Sequence, residues 1–100
     1  MTTSGEPFYE LTLFVSGASD LSARAITDTR RFCDTHVTGR HRLEFVDIHE
    51  DAAAALASHV VAAPTLVKHR PLPVRKLVGD LSDSAKVLAA LEILGTQAIG

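Results

Sequence analysis

Residues 62–91 read AAPTLVKHRPLPVRKLVGDLSDSAKVLAAL, and the order of breakers and apolar runs there decides the second half of the fold. Ala63-Pro64-Thr65 opens it, and Pro64 is the expected site of a cis bond. Residues 65–69, with Leu66 and Val67, read as a strand. Arg70-Pro71-Leu72-Pro73 is a turn, because proline fixes φ and removes a backbone donor. Residues 74–78 form a second short strand, closed by Gly79. Asp80-Leu81-Ser82-Asp83 is a helix entrance with Ser82 the expected N-cap, since a serine oxygen accepts from an orphan N–H of the first turn. The last helix, about residues 83–94, places Val87, Leu88, Leu91 and Leu94 on one stripe, and Gly95 stops it.

Upstream, residues 9–16 (YELTLFVS) alternate Tyr9, Leu11, Leu13 and Val15 against Glu10, Thr12, Phe14 and Ser16. The period of two predicts a strand, and Phe14 on the second face predicts cover on both sides. Gly17 ends it. Asp20 or Ser22 then caps a helix to about His36, whose buried stripe is Ala25, Ile26, Thr29, Phe32 and Cys33, with Val37 beyond. Thr38-Gly39 turns the chain into residues 42–49 (RLEFVDIH), a strand expected inside a sheet. Residues 50–59 (EDAAAALASH) are alanine-rich with acids in front, both helix signals. The order is βαβαββα. Packing helices on both faces of a four-stranded sheet gives a three-layer α/β architecture. That order, with a proline just before the third strand, is similar to the thioredoxin-like fold.

The 100 residues carry a formal net charge of -2 and are 46% hydrophobic and 22% charged. Such a chain supports one domain with a real core and is neither intrinsically disordered nor a polyanion-binding basic protein. Residues 1–7 are small and polar and are expected to be disordered. No apolar run reaches the roughly 18–20 residues of a membrane span, and no basic stretch precedes an apolar core at the N-terminus. A cytoplasmic protein without membrane or nucleic-acid partners is the expectation. The single cysteine, Cys33, makes no internal disulfide.

Motifs for catalysis are sparse. Thioredoxin chemistry needs a thiolate at a helix N-terminus and a resolving cysteine, but residues 17–22 (GASDLS) hold neither. Cys33 falls on an apolar helix face and reads as core. His36, His41, His49, His59 and His69 are scattered singly, without the i, i+4 spacing of a metal pair. No glycine-rich phosphate loop or nucleophile elbow occurs, and Asp80 and Asp83 read as a helix entrance. No cofactor or catalytic residue is therefore expected. One charge feature remains: residues 68–76 (KHRPLPVRK) hold Lys68, Arg70, Arg75 and Lys76 with no acid, either a solvated hairpin or a basic patch for an acidic protein surface.

The run Pro71-Leu72-Pro73-Val74-Arg75-Lys76 followed by Gly79-Asp80-Leu81-Ser82-Asp83, with residues 9–17 (YELTLFVSG) and 43–48 (LEFVDI), resembles the KaiB family of circadian-clock proteins. The resemblance spans residues 9–94. It implies a non-enzymatic regulator that binds a KaiC-type hexameric ATPase and modulates its phosphorylation cycle, in a circadian or stress-timing system. A SasA-like sensory module of a histidine-kinase pathway is the alternative. It also implies two folds sharing the N-terminal half: a ground state, usually tetrameric, whose second half runs helix-helix-strand, and a thioredoxin-like form that binds KaiC. A homo-oligomer, dimer or tetramer, is accordingly expected. By the same resemblance the partner contacts fall on Asp51, Ala54, Ala55, Ser58, His59, Lys68 and Arg75. Pro64, Pro71, Pro73, Ala90 and Glu92 weigh on the conformational balance. Ala90 stands where glycine is expected in the family, which favours helix by about 1 kcal/mol. Glu44 replaces an expected basic residue at a position linked to a further partner, KaiA.

Overall fold

A computed structural model describes residues 7–94, so the expectation of disorder over residues 1–7 lies, apart from Pro7, outside the described residues. The elements are β1 (Tyr9–Val15), α1 (Asp20–His36), β2 (His41–Asp47), α2 (Ala52–Ala57), β3 (Thr65–Arg70), β4 (Arg75–Val78) and α3 (Ser84–Leu91). The sheet order is β2-β1-β3-β4. β1 and β2 are parallel, with Tyr9 opposite His41 and Val15 opposite Asp47. β3 runs antiparallel to β1, and β4 antiparallel to β3 with Lys68 opposite Arg75. The fold is the thioredoxin-like α/β arrangement, a mixed sheet with helices on both faces.

The period-two reading of β1 translates directly into two cores. Tyr9, Leu11, Leu13 and Val15 face α1 and α3, where Ala25, Phe32, Cys33, Leu66, Val87 and Leu91 close over them. Phe14 faces the other way, against Ala55 of α2 and Val67 of β3. Cys33 is buried, as its place on the apolar stripe of α1 requires.

Several expectations need correction. β2 is an edge strand rather than an interior one. The first crossover sets β2 beside β1, and the second carries the chain back across β1, so no strand among the described residues pairs with β2's far side. The N-cap of α1 is Ser19, whose side chain accepts from the Ser22 N–H at 3.0 Å; Ser22 instead turns inward, its Oγ donating to the Ser16 carbonyl. The N-cap of α3 is Asp83 rather than Ser82, accepting from the Lys86 N–H. Both central helix ends fall short of the sequence reading for one reason. His59 (φ 57) and Glu92 (φ 55) adopt the left-handed conformation. The next residue then donates its N–H five positions back, Val60 to the Ala55 carbonyl at 2.8 Å and Ile93 to the Leu88 carbonyl at 3.0 Å. This 6→1 closure satisfies orphan carbonyls and returns an apolar side chain to the core. Ile93 is therefore buried where Leu94 was expected, and Leu94 is 71% exposed. The Ala63-Pro64 bond is cis as expected, and so are the bonds preceding Pro71 and Pro73.

Candidate partner-binding surface

α2 is six residues long and packs Ala55 against Phe14 of β1 and Val67 of β3. Asp51 caps it, its carboxylate accepting from the Ala54 N–H at 3.0 Å. At the other end, Lys76 of β4 donates from Nζ to the carbonyls of Ser58 and His59 at 3.1 and 3.0 Å. A cation at a helix C-terminus complements the partial negative charge of the carbonyls. The contact also locks α2 to β4, the second edge strand. The end of α2, the loop after it and β4 thus meet at Lys76, and this α2–β4 flank is the candidate surface. Leu56 of α2 is 76% exposed and Val61 of the loop after it 97%, and Val78 of β4 is half-exposed.

The residues expected to contact a partner divide on this geometry. Asp51 and His59 are exposed, and Ala54 and Ser58 are half-buried. Ala55 points inward and packs with Phe14 and Val67. Lys68 is also buried, because its position on β3 faces α3 rather than solvent. Burial pushes its pKa down, Glu92 nearby opposes that shift, and Arg75 adds to it. Arg75 donates from Nε to Glu92 at 2.8 Å. Of the two readings of residues 68–76, a single basic patch does not survive this geometry, because Lys68 is buried. Lys68 is interior, Arg75 is paired with Glu92, Lys76 caps α2, and Arg70 is exposed with no ion pair among the described residues.

No catalytic arrangement emerges elsewhere among the described residues. Burial, with Asp34 adding to it, pushes the Cys33 thiol up to about 12, so the nucleophilic thiolate is absent at neutral pH. Sequence reasoning missed one close pair, Ser16 Oγ and His49 Nε2 at 2.7 Å, which no motif spacing announces. The Asp47 carboxylate next to it accepts from the His49 backbone N–H at 2.9 Å, so it leaves the ring unoriented and no triad forms. Asp80 is held ionised below its ordinary range by hydrogen bonds from Ser82, a loop-fixing role. Among the described residues no three His, Cys, Asp or Glu side chains group as a metal site. No helix among them is long and apolar enough to cross a membrane. An open groove of about 900 Å³ runs between the first half of α1 and the Pro64 and Gly79 loops. Its rim charges, Arg24 and Arg31 against Asp28 and Asp80, balance in sign.

Comparison with known proteins gives these features a family. The KaiB domain family model matches residues 12–93. The chain is 37% identical over 86 residues to the circadian clock oscillator protein KaiB of Synechococcus elongatus, covering 86% of this chain and 84% of that protein. It is 38% identical over 86 residues to the protein of the same name from Picosynechococcus, covering 86% and 83%. Among solved structures, the N-terminal domain of Synechococcus elongatus SasA superposes with a TM-score of 0.70 at 21% identity, over 92% of this chain and 90% of that one. Mitochondrial thioredoxin 3 of Saccharomyces cerevisiae superposes with a TM-score of 0.67 at 14% identity, over 86% and 78%; both share the fold. On its sequence, the chain belongs to the KaiB family.

Proposed function

We propose that this protein is a non-enzymatic regulator that docks on a KaiC-type ATPase and modulates its phosphorylation cycle, in a circadian or simpler timing system. The observation that carries the reading is the α2–β4 flank. Leu56 of α2 and Val61 of the loop after it are large apolar groups left exposed, in the segment that Lys76 ties to β4, and exposed apolar surface of this kind is what a docking partner covers. Asp51, Ala54, Ser58 and His59 frame that surface. Ala55 and Lys68 act from beneath it, as packing. The SasA-like alternative is supported by shared fold alone.

Gel filtration of the chain with a KaiC-type hexamer and ATP tests the reading. A shared peak is expected for the unaltered protein. Leu56→Lys should abolish that peak while leaving the far-UV circular dichroism unchanged, since Leu56 is 76% exposed. Absence of a shared peak in every nucleotide state, or an unchanged peak with Leu56→Lys, overturns the proposal.

The thioredoxin-like form is proposed as the binding-competent one, with Ala90 and Glu92 favouring it over the alternative packing. Ala90 lies within α3, and Glu92 ends the helix while holding Arg75. Ala90→Gly should cost the helix about 1 kcal/mol. Hydrogen exchange of residues 84–91 is the measurement, and protection there should fall about fivefold. Protection equal to that of the parent chain would remove Ala90 from the balance.

A further inference from the structure

At six residues, α2 is far below the length at which a helix holds together alone in water. Its one buried residue is Ala55, whose methyl group offers little apolar area to anchor it. Polar contacts at its two ends therefore carry much of its placement. Asp51 caps the front. At the back, the carbonyls of Ala54, Ala55 and Leu56 accept from the N–H groups of Ser58, Val60 and His59, at 3.1, 2.8 and 3.0 Å. The carbonyls of Ser58 and His59 accept instead from Lys76 Nζ.

Those two carbonyls belong to the peptide planes on either side of the His59 Cα. One ammonium group thus holds both planes and so fixes φ and ψ of His59 together. His59 has a φ of 57, a conformation that is unfavourable for a residue with a Cβ. Charge-assisted bonds to its flanking carbonyls offset that cost. Leu56 precedes this turn and Val61 follows it, so the placement of one exposed apolar group relative to the other is set at His59. Among the described residues, Lys76 is the one side chain that hydrogen-bonds residues 55–61. Its neighbour Arg75 is no substitute, because strand alternation sends that side chain to Glu92 on the other face.

We propose that Lys76 is a positioning residue for docking: by clamping the carbonyls on both sides of the His59 Cα it presets Leu56 and Val61 for the partner. The inference rests on the docking reading given above. A loop ordered before the partner arrives spares association the cost of ordering it.

The test compares the full chain with Lys76→Met, which keeps the length of the side chain, and Lys76→Arg, which keeps its charge and donors. Hydrogen exchange on the free chains reads the clamp at the Val60 N–H, the bond that closes the turn. Lys76→Met should lower its protection about fivefold or more, and Lys76→Arg should stay within about twofold of the parent. Sedimentation titration against a KaiC-type hexamer with ATP reads docking, at a temperature where circular dichroism shows every chain folded. Lys76→Met should weaken docking about fivefold or more, and Lys76→Arg should again stay within about twofold. A lysine that only adds stability leaves docking of the folded chains unchanged, and that result overturns the proposal while the docking reading stands. Weaker docking with unchanged Val60 protection would make Lys76 a direct contact and overturns it too, as does an arginine variant as impaired as the methionine one. A parent chain that never binds the hexamer overturns the docking reading, and this proposal with it.

Discussion

Replacing Tyr9 with alanine is expected to remove about 3–5 kcal/mol of stability, which is much or all of what a domain of this size has. Tyr9 is 1% exposed. Its backbone N–H donates to Arg40, its hydroxyl accepts from the Leu94 N–H at 2.9 Å, and the Arg40 guanidinium lies 5.8 Å from its ring centroid. One side chain thus joins the start of β1, the approach to β2 and the segment that leaves α3. Tyr9→Phe keeps the ring and loses only the acceptor. It should cost about 0.5–1 kcal/mol, at the low end because Leu94 is exposed and water can take its N–H. Urea unfolding followed by circular dichroism distinguishes the two variants. A loss below about 1 kcal/mol for Tyr9→Ala would show that α3 is anchored elsewhere.

Much of this architecture is legible in the sequence because the strong signals are local. The alternation from Tyr9 to Val15 fixes which residues face each core. The acids before the alanine run announce α2, and Pro71 and Pro73 announce the β3–β4 turn. What is not legible depends on partners distant in sequence. α2 and α3 end just before His59 and Glu92, the left-handed residues that turn the chain, and neither is the glycine usually read as a stop. They end there because Val60 and Ile93 gain more by entering the core than by extending the helix. β2 looked interior because Phe45, Val46 and Ile48 are apolar. Arg42 and Glu44 were the contrary signal, since a strand covered on all sides seldom carries both. Of the two readings of the basic run from 68 to 76, the solvated hairpin holds for Arg70, Arg75 and Lys76, which are exposed, while Lys68 is buried. In the hairpin, alternation sends Lys68 toward α3 and Lys76 toward α2, so like charges adjacent in sequence serve opposite faces of the sheet.

The candidate surface was legible only in outline. The resemblance places it on α2; in the fold Ala55 and Lys68 are buried, and Leu56 and Val61 are exposed in the same segment. Those two are ordinary apolar residues in a sequence that is 46% hydrophobic, so nothing but exposure distinguishes them. The placement of Lys76 was equally hidden. Its bonds to Ser58 and His59 span 18 and 17 positions. Only the return of β4 alongside β3 brings the two segments together.

Lys68→Met should stabilise the protein at neutral pH by roughly 1–4 kcal/mol, because replacing a buried charge with an apolar side chain of similar volume removes its desolvation cost. Lys68 is 1% exposed, and its pKa lies below the ordinary 10.5 chiefly through burial, with Glu92 opposing and Arg75 reinforcing the shift. The sign follows by linkage. The unfolded chain holds the lysine proton up to higher pH than the folded one does, so stability rises with pH between the lowered folded value and 10.5. Below that window the penalty is present in full, and above it the side chain is neutral in both states. The advantage of methionine should therefore be greatest near pH 7 and shrink as the pH climbs toward 10.5. Glu92→Gln should act in the opposite direction, since it removes the charge that offsets Lys68. Its own half-exposed pair with Arg75 adds no more than about 1 kcal/mol. Urea midpoints of the three proteins at neutral and alkaline pH measure both effects. A methionine variant less stable than the parent at pH 7 would mean that the ammonium group stabilises the fold where it sits. Lys68 would then be a working charge of the interior rather than an uncompensated one.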